Sequence, residues 1–228
     1  MNLASKLLMC CNNQLTFPSN GLIASYQLIS DGSDTLGNYN LTNSGVTFPN
    51  GAALFNSTSD VLYNTEFSSD VYAISFWMKP TSTITNTSAS GCIIDLNDTS
   101  GEIPSAGLFT GNWTTFGTDE TFTISSLVDS VQGRTYIRDS ISDDWHHVII
   151  NWDSNILRYR IYVDLIEPTT YAGTSGNAAF MSELEVGQIR LGRNGVDGFP
   201  YYGELKHFHF YNRYLTNQEM NLINLIEK

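Results

Sequence analysis

Carboxylates, histidines and loop aromatics are the residues whose types and spacing can do chemistry in this chain, and each set points to a different reaction. In "SELEVGQIR", Glu183 and Glu185 stand two apart, so an extended strand puts them on one face. Two carboxyls about 5 to 5.5 Å apart serve a retaining glycosidase as nucleophile and acid/base. Strand alternation also produces such pairs with no chemistry attached, and Gly187 holds the next position on that face. They read as solvated strand residues, and no catalytic residue is assigned.

The histidines are weighed next. His146 and His147 are successive, so the pleat sends them to opposite faces and they cannot grip one metal together. The alternation predicts that His207 and His209 share a face with Tyr211 while Phe208 and Phe210 fill the other. Two same-face histidines lack the third ligand of a zinc site, so no metal is assigned. There is no Gly-x-Ser-x-Gly elbow, and Cys10, Cys11 and Cys92 form no Cys-x-x-Cys pair, so they read as structural or free thiols. Asp31, Asp34, Asp95, Asp98 and Asp197 are loop acids of the oxygen type that calcium requires, but with 23 acids in the chain most read as solvated surface and no calcium site is assigned.

Aromatics in two loops form the remaining set. "TGNWTTFGTDE" carries Trp113 and Phe116, and "GVDGFPYY" carries Phe199 and Tyr201, each among Asn, Asp and Gly. Such rings beside amides and carboxylates stack on sugars, or else cap the ends of a sheet sandwich. These four are the candidate ligand contacts, and no cofactor is expected.

The elements that must position them are strands. In "DDWHHVIINWDSNILRYRIYVD", Val148, Ile150 and Trp152 alternate with Ile149 and Asn151, and Ile161 and Val163 with Arg160 and Tyr162. This predicts a hairpin turning at Asp153, Ser154 and Asn155, with Trp145, Val148, Ile150, Trp152, Ile161 and Val163 as candidates for burial. Turn signals such as "SDGSDTLGN", "NDTSG" and "GRNGVDG" recur between short β-rich runs and predict about eleven strands in two packed sheets. The runs are 22–28, 52–55, 73–78, 91–96, 107–110, 121–125, 135–138, 145–152, 158–163, 185–191 and 203–211. "TNQEMNLINLIEK" predicts one closing helix, with Thr216 and Glu219 as a capping box and Met220, Ile223, Leu222 and Ile226 as its buried stripe. Residues 1–20 read as an N-terminal arm with Leu3, Leu7 and Leu8 on a short helical segment, and residues 21–228 as one domain.

Composition narrows the function classes. In 228 residues, 41% are apolar, 12% aromatic and only 15% charged, so Ser, Thr, Asn and Gly must build the surface, as suits strands and turns. A net charge of -12 argues against nucleic acid, which needs a basic footprint. No run approaches a membrane span, and "MNLASKLLMCCNNQ" has only Leu7 to Cys11 after its lysine, too short for a secretory signal.

Several separated stretches resemble one family together. "GLIASYQLISDGSDTLGNYNLTNSG", "NGAALFNSTSDVLY", "AISFWMKP", "DDWHHVIINWD" with "LRYRIYVD", "IRLGRN" and "YYGELKHFHFYNRYLTNQEM" resemble, in order, the strands of LamG-like, concanavalin A-like jelly-roll domains. The resemblance covers residues 21 to 226. It implies an all-β sandwich of two antiparallel sheets with a short C-terminal helix, and ligand contacts on the concave face or its rim loops. Relatives with glucanase activity carry Glu-x-Asp-x-x-Glu or Glu-x-Asp-x-Glu, which "SELEVGQIR" departs from. Many relatives hold calcium through an aspartate where "GELKHF" has Lys206, so the lysine is expected to take the ion's place by donating to the same carbonyls. An ammonium cannot ligate calcium.

Fold alone does not choose a function. The expected function is a non-catalytic, surface-exposed binding or structural module, foremost a virion structural or decoration protein that contacts host glycans. The alternative is a secreted or cell-surface carbohydrate-binding adhesion domain; a glycoside hydrolase ranks below both. Expected partners are glycans or other virion or surface proteins, with self-association left open. The expected location is extracellular or on a virion surface.

Overall fold

The structure, a computed structural model, describes residues 16–85, 91–98, 106–110, 122–128, 131–137, 140–153, 158–167, 186–195 and 199–228. Among them are thirteen strands: β1 (Leu22–Tyr26), β2 (Thr42–Ser44), β3 (Ala53–Phe55), β4 (Val61–Asn64), β5 (Ala73–Pro80), β6 (Gly91–Asp98), β7 (Ala106–Thr110), β8 (Phe122–Val128), β9 (Val131–Ile137), β10 (His146–Asp153), β11 (Arg158–Val163), β12 (Val186–Leu191) and β13 (Gly203–Tyr211). One helix, α1 (Asn217–Glu227), closes the chain. The first sheet runs β1-β13-β5-β10-β11, with β3 also paired to β13, and the second runs β2-β4-β12-β6-β7-β8-β9. The expected fold, an all-β sandwich of two antiparallel sheets with a short C-terminal helix, is the one observed.

All eleven expected strands are present, and two more appear. Strand β2 is "TNS", three exposed polar residues with no alternation to read, and it exists because Thr42, Asn43 and Ser44 pair with Tyr63, Leu62 and Val61 of β4. The central hairpin has the expected register, with Val148 opposite Val163, Ile150 opposite Ile161 and Asn151 opposite Arg160. Val148, Ile150 and Ile161 are fully buried, Val163 is partly buried and Trp145 is half-buried, while the side chain of Trp152 lies outside the described residues.

The main core lies between the sheets. Ile74, Phe76, Met78, Phe208 and Phe210 from the first sheet meet Leu62, Ile94, Leu96, Ile189 and Leu191 from the second. Phe76 and Phe208 stack with centroids 4.5 Å apart. Each such ring contributes roughly 1.5 to 3 kcal/mol through burial.

Strand β13 departs from simple alternation. Leu205 and Phe208 both join the core although two residues separate them, so one residue must be extra. The register shifts between Lys206 and His209, and His207 takes a left-handed φ of 52°. The expected same-face pair of His207 and His209 is therefore corrected. His207 is the bulged residue bonded to Gln27, whereas His209 meets Ser25 and Glu227.

A second, smaller core sits outside the first sheet. There Ala73, Ile149 and Tyr211 pack under Leu215, Met220 and Ile223, which explains why β10 is apolar on both faces. The Asn151 side chain fixes the start of the helix by donating to the Leu215 carbonyl and accepting its N–H, both at 2.8 Å. The capping box forms as expected: Thr216 Oγ1 accepts the Glu219 N–H, and Glu219 accepts the Thr216 N–H. Met220 and Ile223 are buried, but Ile226 is 40% exposed, and Glu227 turns inward beside it. Arg213 joins this corner to the turn before β1, donating to the Asn20 carbonyl at 2.8 Å and forking onto Glu219. Phe17, from the segment assigned to the arm, packs on the same cluster. Leu3, Leu7, Leu8, Cys10 and Cys11 lie outside the described residues.

Candidate functional site

The sandwich has two outer faces, and the first sheet's is covered by α1. On it the register sets Lys206 opposite Trp77, and Trp77 opposite His147. The Lys206 ammonium lies 4.6 Å from the Trp145 ring centroid and 5.6 Å from that of Trp77, while Trp77 stacks on His147 at 5.1 Å. Aromatic faces thus receive the charge. The expectation that Lys206 would donate to carbonyls in place of calcium is corrected: its contacts are indoles. The Trp-His-His-Val motif and the Trp of "FWMKP" are parts of one layered stack.

Under the helix lies a polar chain that sequence reasoning did not find. Glu227 Oε1 is 2.6 Å from His209 Nε2, and His209 Nδ1 is 3.1 Å from Ser25 Oγ. Serine, imidazole and carboxylate in this sequence are the parts of an activated nucleophile. Here they are sealed: Ser25 is 4% exposed, His209 0% and the Glu227 side chain 6%. With no access for a substrate, the chain fastens the helix to β1 and β13. His147 sits beside it, its Nε2 2.8 Å from Ser75 Oγ. Burial pulls the His147 pKa down to about 4, against the opposing influence of the Asp164 carboxylate, so the ring is neutral near pH 7. Only side-chain separation in sequence hid this cluster, since Ser25 and His209 are 184 residues apart.

No helix or sheet among the described residues covers the outer face of the second sheet. One register row crosses all seven strands: Thr42, Tyr63, Arg190, Asp95, Gly107, Ser125 and Arg134. The apolar neighbours Leu62, Leu191, Ile94, Leu96 and Leu108 point into the core, so pleating turns Tyr63, Arg190 and Asp95 outward. Tyr63 and Arg190 are half-buried and Thr42 is exposed. Arg190 stands opposite Asp95 in register, yet its guanidinium makes no ion pair among the described residues. Its one hydrogen bond is a long contact of 3.5 Å from Nη2 to Gln188 Oε1, and its buried Nε has no partner.

Asp95 serves the loop beyond β12 instead. It is fully buried, and its Oδ2 accepts the Gly195 N–H at 2.8 Å. That loop is the "GRNGVDGFPYY" stretch singled out from the sequence. It is tied to the sheet rim where Cys92 N–H donates to the Phe199 carbonyl and Tyr201 N–H to the Gly192 carbonyl. Gly192 is needed here: its φ is +87°, and any Cβ would overlap the Phe55 ring.

The expected ligand contacts fare differently from one another. Phe199 is half-buried on this rim. Tyr201 is corrected as a surface platform: it is 2% exposed and packs edge-on against Phe55, which is the end-capping role, while its neighbour Tyr202 is 42% exposed. Trp113 and Phe116 lie outside the described residues, as do Glu183, Glu185 and Asp197. Asp34 is not free for an ion. It accepts the N–H groups of Ser25, Leu36, Asn38 and Tyr39 and so knots the first loop. Asp31 caps Ser33, whose N–H lowers the aspartate pKa. Among the described residues no group of three His, Cys, Asp or Glu side chains could hold a metal. Cys92 is buried, its thiol pKa pushed well up by desolvation and then by Asp95, so it is a structural thiol.

Among curated proteins, none matches the chain in sequence. Solved structures share its fold. Domain 4 of AbnA, an extracellular arabinanase of Geobacillus stearothermophilus solved with arabinotriose, superposes with a TM-score of 0.63 at 19% identity, over 89% of this chain and 98% of that one. The receptor binding domain of botulinum neurotoxin type G gives 0.61 at 17% identity over 92% of this chain, and that of botulinum neurotoxin D gives 0.62 at 16% over 91%. The chain spans about half the length of these two toxin domains, 52% and 53%. Residues 40–221 match the Laminin_G_3 family, described as the concanavalin A-like lectin/glucanases superfamily. With the layered stack, the two antiparallel sheets and this match across most of its length, the chain belongs to the concanavalin A-like lectin/glucanases superfamily.

Proposed function

We propose that this protein is a non-catalytic glycan-binding module whose contact surface is the outer face of the second sheet together with the rim loop that ends in Phe199. The observation that carries this reading is the contrast in cover. Helix α1 packs over the other outer face, whereas Tyr63 and Arg190 stand half-buried on this one with no helix or sheet among the described residues over them, and the buried Nε of Arg190 has no partner among those residues. A tyrosine ring beside a guanidinium and amides is suited to stacking on a sugar and bonding its hydroxyls. The arabinotriose bound to the arabinanase domain supports the reading at the level of a shared fold. Against catalysis, Asp95 is the one described carboxylate in the register row, and it is buried against the loop, where a glycosidase needs two accessible acids.

The same proposal sets the module on the outside of a particle, as a virion structural or decoration protein, and an acidic chain poor in lysine suits such a solvated outer surface. Mass spectrometry of purified particles carrying the gene tests that setting. A glycan-array screen of the purified chain tests the binding function: binding that is lost in Tyr63→Ala is expected. Absence of binding to every glycan, with the protein folded, would remove the reading in favour of a purely structural role.

A further inference from the structure

The geometry points to a carboxylate-bearing sugar as the ligand of the open face, with Arg190 as the residue that selects it; this rests on the glycan-binding reading above. Arg190 is always charged and half-buried, and burying part of a guanidinium costs free energy unless an acceptor meets it. None of the described acids does. Asp95, its register partner, gives Oδ2 to Gly195 N–H, and Arg190 keeps only the 3.5 Å contact to Gln188, with Nε buried and unpartnered. A guanidinium so placed fits a planar carboxylate, which accepts two parallel N–H bonds. Tyr63, next in the row, offers a ring for the sugar that carries the acid. That neighbour favours a saccharide over an acidic peptide.

Charge limits the ligand further. A chain of net charge -12 repels a polyanion, so the fit is to an isolated acid in an otherwise neutral glycan rather than to a densely sulfated one.

The test uses matched probes on one array: sialyllactose against lactose, and a neutral oligosaccharide ending in one glucuronate against its methyl ester, each with the wild-type chain, Arg190→Gln and Arg190→Lys, and with an otherwise uncharged peptide carrying a single glutamate spotted alongside. Expected is preference for the acidic member of at least one pair by about tenfold or more, lost in Arg190→Gln and only partly restored in Arg190→Lys. Circular dichroism confirms that the variants fold. Equal binding of acidic and neutral members, unchanged by Arg190→Gln, overturns the selectivity and leaves glycan binding standing. Binding of the single-glutamate peptide alone, or of no probe and no other array glycan, overturns both.

Discussion

The two outer faces of this sandwich carry similar residues and do opposite things with them. On the first sheet, Lys206, Trp77 and His147 form one stack, and Ser25 and His209 are hydrogen-bonded to each other and to Glu227 of α1. On the second sheet, Tyr63 and Arg190 are left half-buried, and Arg190 has no ionic partner among the described residues. The comparison teaches that residue type is a poor guide to function on a sheet. What separates a scaffold histidine from a ligand contact is whether another element of the same chain covers it: His147 keeps a buried, unpartnered Nδ1 and is still sealed from any ligand.

Breaking the covered face should give the largest effect. Glu227→Ala strips His209 of its buried partner and is expected to lower stability by about 3 kcal/mol in urea unfolding, the scale for breaking a buried pair. A loss below that of an ordinary surface change would mean that the Glu227 contact is solvated and the helix only loosely seated.

Acid should weaken the same face next. Between pH 6.5 and about 4 the unfolded chain holds a proton on His147 that the folded chain excludes, so stability is complete above that window, falls as pH drops through it and levels off below. The cumulative loss approaches about 3 kcal/mol, and burial of His207 adds in the same direction. Unfolding midpoints from pH 7.5 to 4.5 measure it. Over that range Glu219, which Arg213 holds down at about 2, stays ionised. A flat profile for wild type, or an unchanged slope in His147→Gln, would show that the ring is not sealed.

Thr216→Ala should cost about 1 kcal/mol by removing the N-cap that starts α1, and thermal melts compared with Thr216→Ser report it. At the bottom of the scale, Arg190→Gln is expected to move stability by no more than about 0.5 kcal/mol while abolishing acidic-glycan preference. If Arg190→Gln instead destabilised the fold as strongly as Glu227→Ala, the open face would be structural and the contrast between the faces would vanish.

Much of this was legible before any coordinates. Strand alternation located eleven strands and the central hairpin, because a pleated strand with one buried face must repeat every second residue. The Thr216–Glu219 capping box was readable because both partners lie within one helical turn. The failures share a cause. A bulge that inserts one residue into β13 has no local signature, so alternation misplaces His207, and the choice for Tyr201 between sugar platform and end cap stays open in the sequence because Phe55, against which it packs, is distant in the chain.

The sequence by itself therefore determined the periodicities, the turns, the helix start and the acidic, strand-rich surface, all properties of neighbouring residues. Tertiary structure alone decided which outer face is closed. Ser25, His209 and Glu227 meet across 184 and 18 residues, and among the described residues Arg190 has no ionic partner while Asp95, opposite it in register, accepts from Gly195, 100 residues on. Such outcomes depend on which distant groups the packed fold brings within hydrogen-bond reach, and a local pattern carries no record of that distance.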